Sequence, residues 1–254
     1  MKNVSEGEFF GRERIRTILI KIAPPVMLAQ LIQALYNIVD SFFVGKYSND
    51  ALTALTVIYP LQLIIIAFAV GTGVGVNTYM ARKFAENREK DAWNAAGTGM
   101  VLALITWVIF AVIAVIIMRP YVLTSASSVN AVNYAVTYGR IVCVGSIGTF
   151  LEGNWSKVHQ ARGNMKLPML AQIAGAVVNI ICDPILIFGM GPIPEMGVAG
   201  AAYATIMGQV VAAIITGVTG IHRPPKLRKI PAYAKRIYCD AYSSIIMQTL
   251  YTVY

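Results

Sequence analysis

Runs of apolar residues alternate with short polar connections along almost the whole chain. Six runs are long enough to cross a ~30 Å hydrocarbon core, which takes about 20 helical residues. They span roughly 22–44, 55–80, 95–118, 132–151, 167–190 and 198–220. A seventh begins near Ala241, and the chain ends at Tyr254, too soon for it to cross. The pattern predicts an all-α membrane protein: a six-transmembrane-helix bundle (1–221), a basic linker (222–240) and the start of a seventh helix (241–254).

Polar residues inside these runs change the picture. Gln30, Gln33, Asn37 and Asp40 are spaced 3, 4 and 3 apart, which puts them on one helix face with Tyr36 beside them. A carboxylate at membrane depth costs at least roughly 2.5–3.5 kcal/mol, so Asp40 marks either a function or a position just outside the hydrocarbon. The fifth span carries Gln172, Asn179 and Asp183, the last two one turn apart. Counted from the same side, Asp40 lies 18 residues past Ile22 and Asp183 16 past Leu167. At ~1.5 Å per residue the two acids share a depth within about a turn. Two carboxylates and an amide in a poorly hydrated pocket need a proton or a cation. Oxygen-only ligands suit H+ or a hard cation such as Na+. Pro184 frees a carbonyl that could join such a site. The alternative is a structural polar knot. In the sixth span Thr205 lies at a compatible depth, with Gln209 one turn on, although a threonine there also bonds to its own backbone. Gln30, Gln33, Tyr36, Asn37, Gln172 and Gln209 are the expected cavity lining.

Other features have plainer readings. Pro24 and Pro25 open the first span as a helix start or a kink. Gly71 and Gly75 in GTGVG form a GxxxG that lets helices approach closely, and the run has no strand–turn–helix context for a dinucleotide site. Gly145 and Gly148 are expected to pack helices. Glu152 is expected to reach the interface at the end of the fourth span, and Arg140 to snorkel outward or pair with a carboxylate. His159 and His222 read as solvated.

Composition agrees with a membrane protein: 57% of residues are hydrophobic and 13% charged, against roughly a quarter charged in soluble domains. The net charge of +9 does not point to nucleic acid, because the basic residues gather in alternate connections. Lys2, Arg12, Arg14, Arg16 and Lys21 precede the first span, and Arg82, Lys83, Arg88 and Lys90 follow the second. Lys157, Arg162 and Lys166 flank the fourth and fifth, and six more lie between Arg223 and Arg236. The opposite connections hold Lys46 and Arg119. By the positive-inside rule the N-terminus is cytoplasmic. Cys143, Cys182 and Cys239 show no pairing or metal spacing. No small-residue cleavage site follows a short apolar core, so the first span is expected to stay in the protein. No catalytic triad, zinc spacing or phosphate loop is present, and the chain reads as a non-enzyme without a cofactor. IMQTLYTVY at 246–254 echoes LIQALYNIV at 31–39, as if a second six-helix unit were beginning in parallel.

Several stretches resemble the N-terminal half of multidrug and toxic compound extrusion (MATE) transporters. They are YNIVDSFFVGKYSNDALTAL, the glycine-rich end of the second span, ARGNMKLPML and NIICDPILIFGMGPIPEMGVAGAAYATIMGQ. The resemblance implies two six-helix lobes around a central cavity. It also implies an H+- or Na+-coupled antiporter that exports amphipathic, mostly cationic organic compounds across the inner or plasma membrane. Asp40, Asn179 and Asp183 match the family's coupling positions. Thr205 matches less directly, since a straight count lands on Ala201, and Pro24 or Pro25 matches a bending proline. The second lobe is missing beyond the opening of its first helix, so the chain is expected to need it for transport. Rival readings are a lipid-linked saccharide flippase of the same superfamily, an intramembrane aspartyl protease using Asp40 and Asp183, and a scaffold that transports nothing.

Overall fold

The computed structural model describes residues 15–126 and 128–253. Lys2, Arg12, Arg14, Tyr254 and the Lys21 side chain lie outside the described residues. The chain forms α1 (Ile15–Tyr47), α2 (Asn49–Ala85), α3 (Glu89–Ser125), α4 (Val129–Gly145) and α5 (Ile147–Ala161). It continues as α6 (Lys166–Phe188), α7 (Val198–Gly220), a 3-10 turn at Leu227–Lys229 and α8 (Ile230–Val253). Among the described residues five helices are long and apolar enough to cross a membrane, and α4 with α5, bent by 41°, makes a sixth, broken span.

The predicted spans recur as helices, α1 beginning seven residues before its predicted start, with three further differences. First, α2 and α3 each run 37 residues, a turn or more beyond both predicted ends. Their terminal turns are polar and continue outside the apolar stretch; Ser48 caps α2, its Oγ accepting from the Asp50 amide at 3.2 Å. Second, the fourth span is two helices. At the Gly145–Ser146 junction the Ser146 hydroxyl donates to the Cys143 carbonyl at 2.7 Å, a local bond that competes with the helical ladder. Third, the last helix begins at Ile230, not near Ala241, with Pro231 in its first turn where no amide is needed. In contrast, α7 has the bounds read from the sequence.

α2 is the hub. It packs against α3, α4, α5 and α8, while α6 pairs with α7 and α1 lies along α6. The GTGVG run serves two of these contacts. Gly71 and Gly75 face α8, where a Cβ would strike Ile245 and the Ile237 carbonyl. Gly73 faces α5, where a Cβ would lie 2.6 Å from the Gly153 carbonyl oxygen. With no hydrophobic force between helices in lipid, this backbone-to-backbone packing is what holds them.

The basic connections collect at one end of the bundle. There Arg82 pairs with Asp240 at 2.8 Å and Arg88 with Asp91 at 2.6 Å. Trp93 stacks on His222 at 4.2 Å, and Arg162 sits 5.2 Å from the same ring. Neither histidine is simply solvated. His222 is half-buried against Trp93, and His159 is buried, its Nε2 donating to the Thr216 carbonyl at 3.0 Å. For His159 this follows from α5 running on to Ala161 against α7, and for His222 from the segment after α7 lying on Trp93 of α3. Arg140 is exposed. All three cysteines are free, with only Cys143 buried.

Candidate functional site

The polar face of α1 turns inward toward its C-terminal end, with Gln33 and Asn37 partly buried and Asp40 buried, while Gln30 stays exposed, as do Met27, Leu31, Leu35 and Phe42 on other faces. Helix α1 runs through Pro24 and Pro25 without a break. Its last turns are tied to α6 by rings: Phe43 and Tyr47 approach Phe188 with centroids 6.5 and 6.4 Å apart. Val44 and Ile187 are buried in the same core beneath them. Asp40 lies one turn before Val44 and Asp183 one turn before Ile187, so this aromatic clasp sets the two acids at one level.

A second contact sets the amide. Gly175 of α6 and Gly208 of α7 approach backbone to backbone, and a Cβ on Gly208 would lie 2.6 Å from the Gly175 carbonyl oxygen and 3.2 Å from Asn179 Cβ. Asn179 is thereby pressed against α7 one turn from Thr205. The Thr205 hydroxyl donates to the Ala201 carbonyl at 3.0 Å, the backbone bond foreseen for it. Pro184 lies inside α6, which continues to Phe188; the Ile180 carbonyl lacks its helical donor there.

All four candidate coupling residues are buried: Asp40, Asn179, Asp183 and Thr205. Asp40 Oδ1, both Asp183 oxygens and both polar atoms of Asn179 are sealed from solvent without a hydrogen-bond partner. Asp40 and Asp183 lie within electrostatic reach of one another. Orphaned polar atoms are rare in folded proteins, and orphaned carboxylates are costly. Four unpartnered acceptor oxygens, with a single donor group among them in the Asn179 Nδ2 amide that bonds none of them, can take up a proton or a small hard cation.

Beside this cluster lies a cleft with two chambers. One, of about 450 Å³, reaches Asp40. The other, of about 580 Å³, lies nearer the basic end and reaches Gln30, Gln172 and Asn179. Gln33, Tyr36, Asn37, Thr205 and Gln209 line both. Every expected lining residue therefore borders the cleft, while Asp183 sits behind its wall. Among the described residues, no lysine or arginine lines either chamber.

Two functional candidates escaped the sequence reading. Tyr138 of α4 is buried beside Thr205, its hydroxyl accepting from Gln62 Nε2 at 3.2 Å and lying within electrostatic reach of Asp40. A tyrosine in an apolar run counts as apolar by periodicity, so only its pairing with Gln62 could have flagged it. Glu152 is buried and lines the inner chamber rather than reaching the interface. The reason is the length of the broken span: α5 continues nine residues past Glu152, to Ala161.

The MatE family model matches residues 25–185, a stretch that holds Asp40, Asn179 and Asp183 and ends before the helix that carries Thr205. The chain belongs to the MatE family. Among relatives of this MatE chain, the probable multidrug resistance protein YoeA of Bacillus subtilis is 26% identical over 192 residues, 75% of this chain and 42% of that protein. The probable multidrug resistance protein NorM of Thermotoga maritima is 30% identical over 224 residues, 85% of this chain and 47% of its own. A solved MOP-superfamily transporter from Pyrococcus furiosus superposes with a TM-score of 0.86 at 25% identity, covering 98% of this chain and 56% of that one. The MatE chain described here thus spans about half the length of the relatives it matches. It is an all-helical, multi-pass membrane protein, and its relatives are transporters, not enzymes.

Proposed function

We propose that this chain is the N-terminal lobe of an ion-coupled antiporter that exports amphipathic organic cations across the cytoplasmic membrane. The observation that carries the reading is the cluster of Asp40, Asn179 and Asp183 at the wall of a polar cleft, with four buried oxygens that no hydrogen bond satisfies. Binding of H+ or Na+ relieves the cost of those oxygens, and departure of the ion restores it. An ion that prefers one packing of α1 against α6 therefore shifts the lobe between packings, and that difference in affinity is the coupling. The basic end faces the cytoplasm by the positive-inside rule, and a second lobe completes the cavity. The absence of basic residues among the described lining favours cationic cargo over the phosphate headgroup a lipid-linked saccharide flippase must hold. Pro24 and Pro25 leave α1 two missing backbone bonds near the basic end, where it can bend.

The test is dye efflux from proteoliposomes holding the complete transporter, driven by a proton gradient and, separately, by a sodium gradient. Efflux depends on one gradient and falls to background in Asp40→Asn. Efflux indifferent to both gradients and to Asp40 would overturn the reading.

A further inference from the structure

Glu152 is a buried acid that the coupling cluster does not use. It reaches the inner chamber from α5, which the bend at Ser146 turns into the bundle. One carboxylate oxygen is pinned: Glu152 Oε1 accepts from the Ser156 hydroxyl, one turn along α5, and from Gln172 Nε2 of α6 at 3.2 Å. Both donors are neutral, so they orient the carboxylate without cancelling its charge. Its other oxygen receives no hydrogen bond among the described residues. Lys157 lies within electrostatic reach of the carboxylate, yet among the described residues no salt bridge joins them, because its ammonium donates to Gln160 Oε1 at 2.9 Å. Around the acid, Gln30 of α1, Gln172 of α6 and Gln248 of α8 bring amides to the chamber, and Val70, Ala176 and Ala212 bring apolar wall. A fixed carboxylate with one unpaired oxygen, set in a half-apolar chamber of about 580 Å³, is complementary to an organic cation with a flat or greasy body.

We propose that Glu152 is the charge-recognising residue of the inner chamber, binding the cationic nitrogen of the cargo on the basic-end side of Asp40, with Ser156 and Gln172 as its positioning residues. This rests on the efflux reading and adds a division of labour. Asp40 and Asp183 hold the coupling ion, and Glu152 holds the cargo. The two acids lie in different chambers that share one face of α1, so ion and cargo need not displace each other from one carboxylate.

The experiment is equilibrium binding to the complete transporter in lipid nanodiscs. It compares ethidium, a planar aromatic cation, with an uncharged phenanthridine of the same ring system, after subtracting empty discs. In Glu152→Gln, ethidium affinity falls by on the order of tenfold or more, the loss of one charge-assisted contact. Affinity for the uncharged probe stays within twofold, which also reports that the variant is folded. Glu152→Asp, which keeps the charge, recovers part of the ethidium affinity. In Asp40→Asn the preference for the cation persists. Equal weakening of both probes, or no weakening, overturns the assignment while leaving gradient-driven efflux intact. Failure of the unaltered protein to bind either probe above empty discs overturns both the assignment and the efflux reading.

Discussion

Asp183→Asn unfolds at a higher temperature than the unaltered chain in sodium-free buffer at neutral to alkaline pH. Asp183 is fully buried, and neither of its oxygens has a partner. Its neighbours add two more orphaned oxygens, Asp40 Oδ1 and Asn179 Oδ1, and the Asn179 Nδ2 donor bonds neither acid. Removing an unpaired buried charge relieves a penalty, whereas removing a satisfied polar group creates one. The amide that replaces the carboxylate keeps the shape and can donate to Asn179, one turn earlier on the same face. The expected gain is about 1–3 kcal/mol, read from thermal unfolding in detergent. Saturating coupling ion narrows the gap, because it stabilises only the protein that still binds it, by ~2.7 kcal/mol at a hundred times its dissociation constant. The same substitution abolishes ion-dependent efflux, so stability and function move in opposite directions. Destabilisation by Asp183→Asn would mean the cluster is a structural knot holding helices together, and the coupling proposal would fall with it.

Gly208→Leu is expected to cost the fold roughly 3 kcal/mol or more, beyond the usual range for overpacking. The obstacle explains the size. A Cβ at Gly208 meets the Gly175 backbone carbonyl at 2.6 Å and Asn179 Cβ at 3.2 Å. Neither is the movable tip of a flexible side chain, so α6 and α7 must part. Separation of these helices also carries Asn179 away from Thr205, and ion-dependent stabilisation should disappear with it. Gly45→Ala is the matched control. There a Cβ meets only Leu52 side-chain carbons, the nearest at 3.4 Å, and alanine is the better helix former by roughly 0.5–1 kcal/mol. Thermal unfolding of the two variants side by side should show a large loss for the first and none for the second. Similar behaviour in both would show that the α6–α7 contact is not what positions the site.

Much of the site was legible because helix geometry is local. Spacings of 3 and 4 put Gln30, Gln33, Asn37 and Asp40 on one face whatever surrounds them, and all four border the cleft. Counting residues from the start of each span brought Asp40 and Asp183 to one depth for the same reason. The fourth span shows the limit. Its apolar run ends near Leu151, so hydropathy placed Glu152 at a membrane boundary. Its side chain instead enters the chamber, because Gly145 and Ser146 bend the span and α5 carries it on to Ala161. His159 was misplaced by the same error, being buried against the Thr216 carbonyl.

The sequence by itself determined the number of spans, their order, the clustering of basic residues in alternate connections and the polar faces of the first, fifth and sixth spans. These depend on the solvent each residue prefers and on a 3.6-residue period, which neighbouring residues set among themselves. Only the tertiary structure decided which faces meet. It seated Gly71 and Gly75 on α8, drew α6 to α7 through Gly175 and Gly208, and clasped α1 to α6 through Phe43, Tyr47 and Phe188. In lipid, helices choose partners by close packing of small surfaces far apart in the chain. A periodic pattern says which residues share a face, but the identity of the facing helix depends on shape complementarity that no single segment contains.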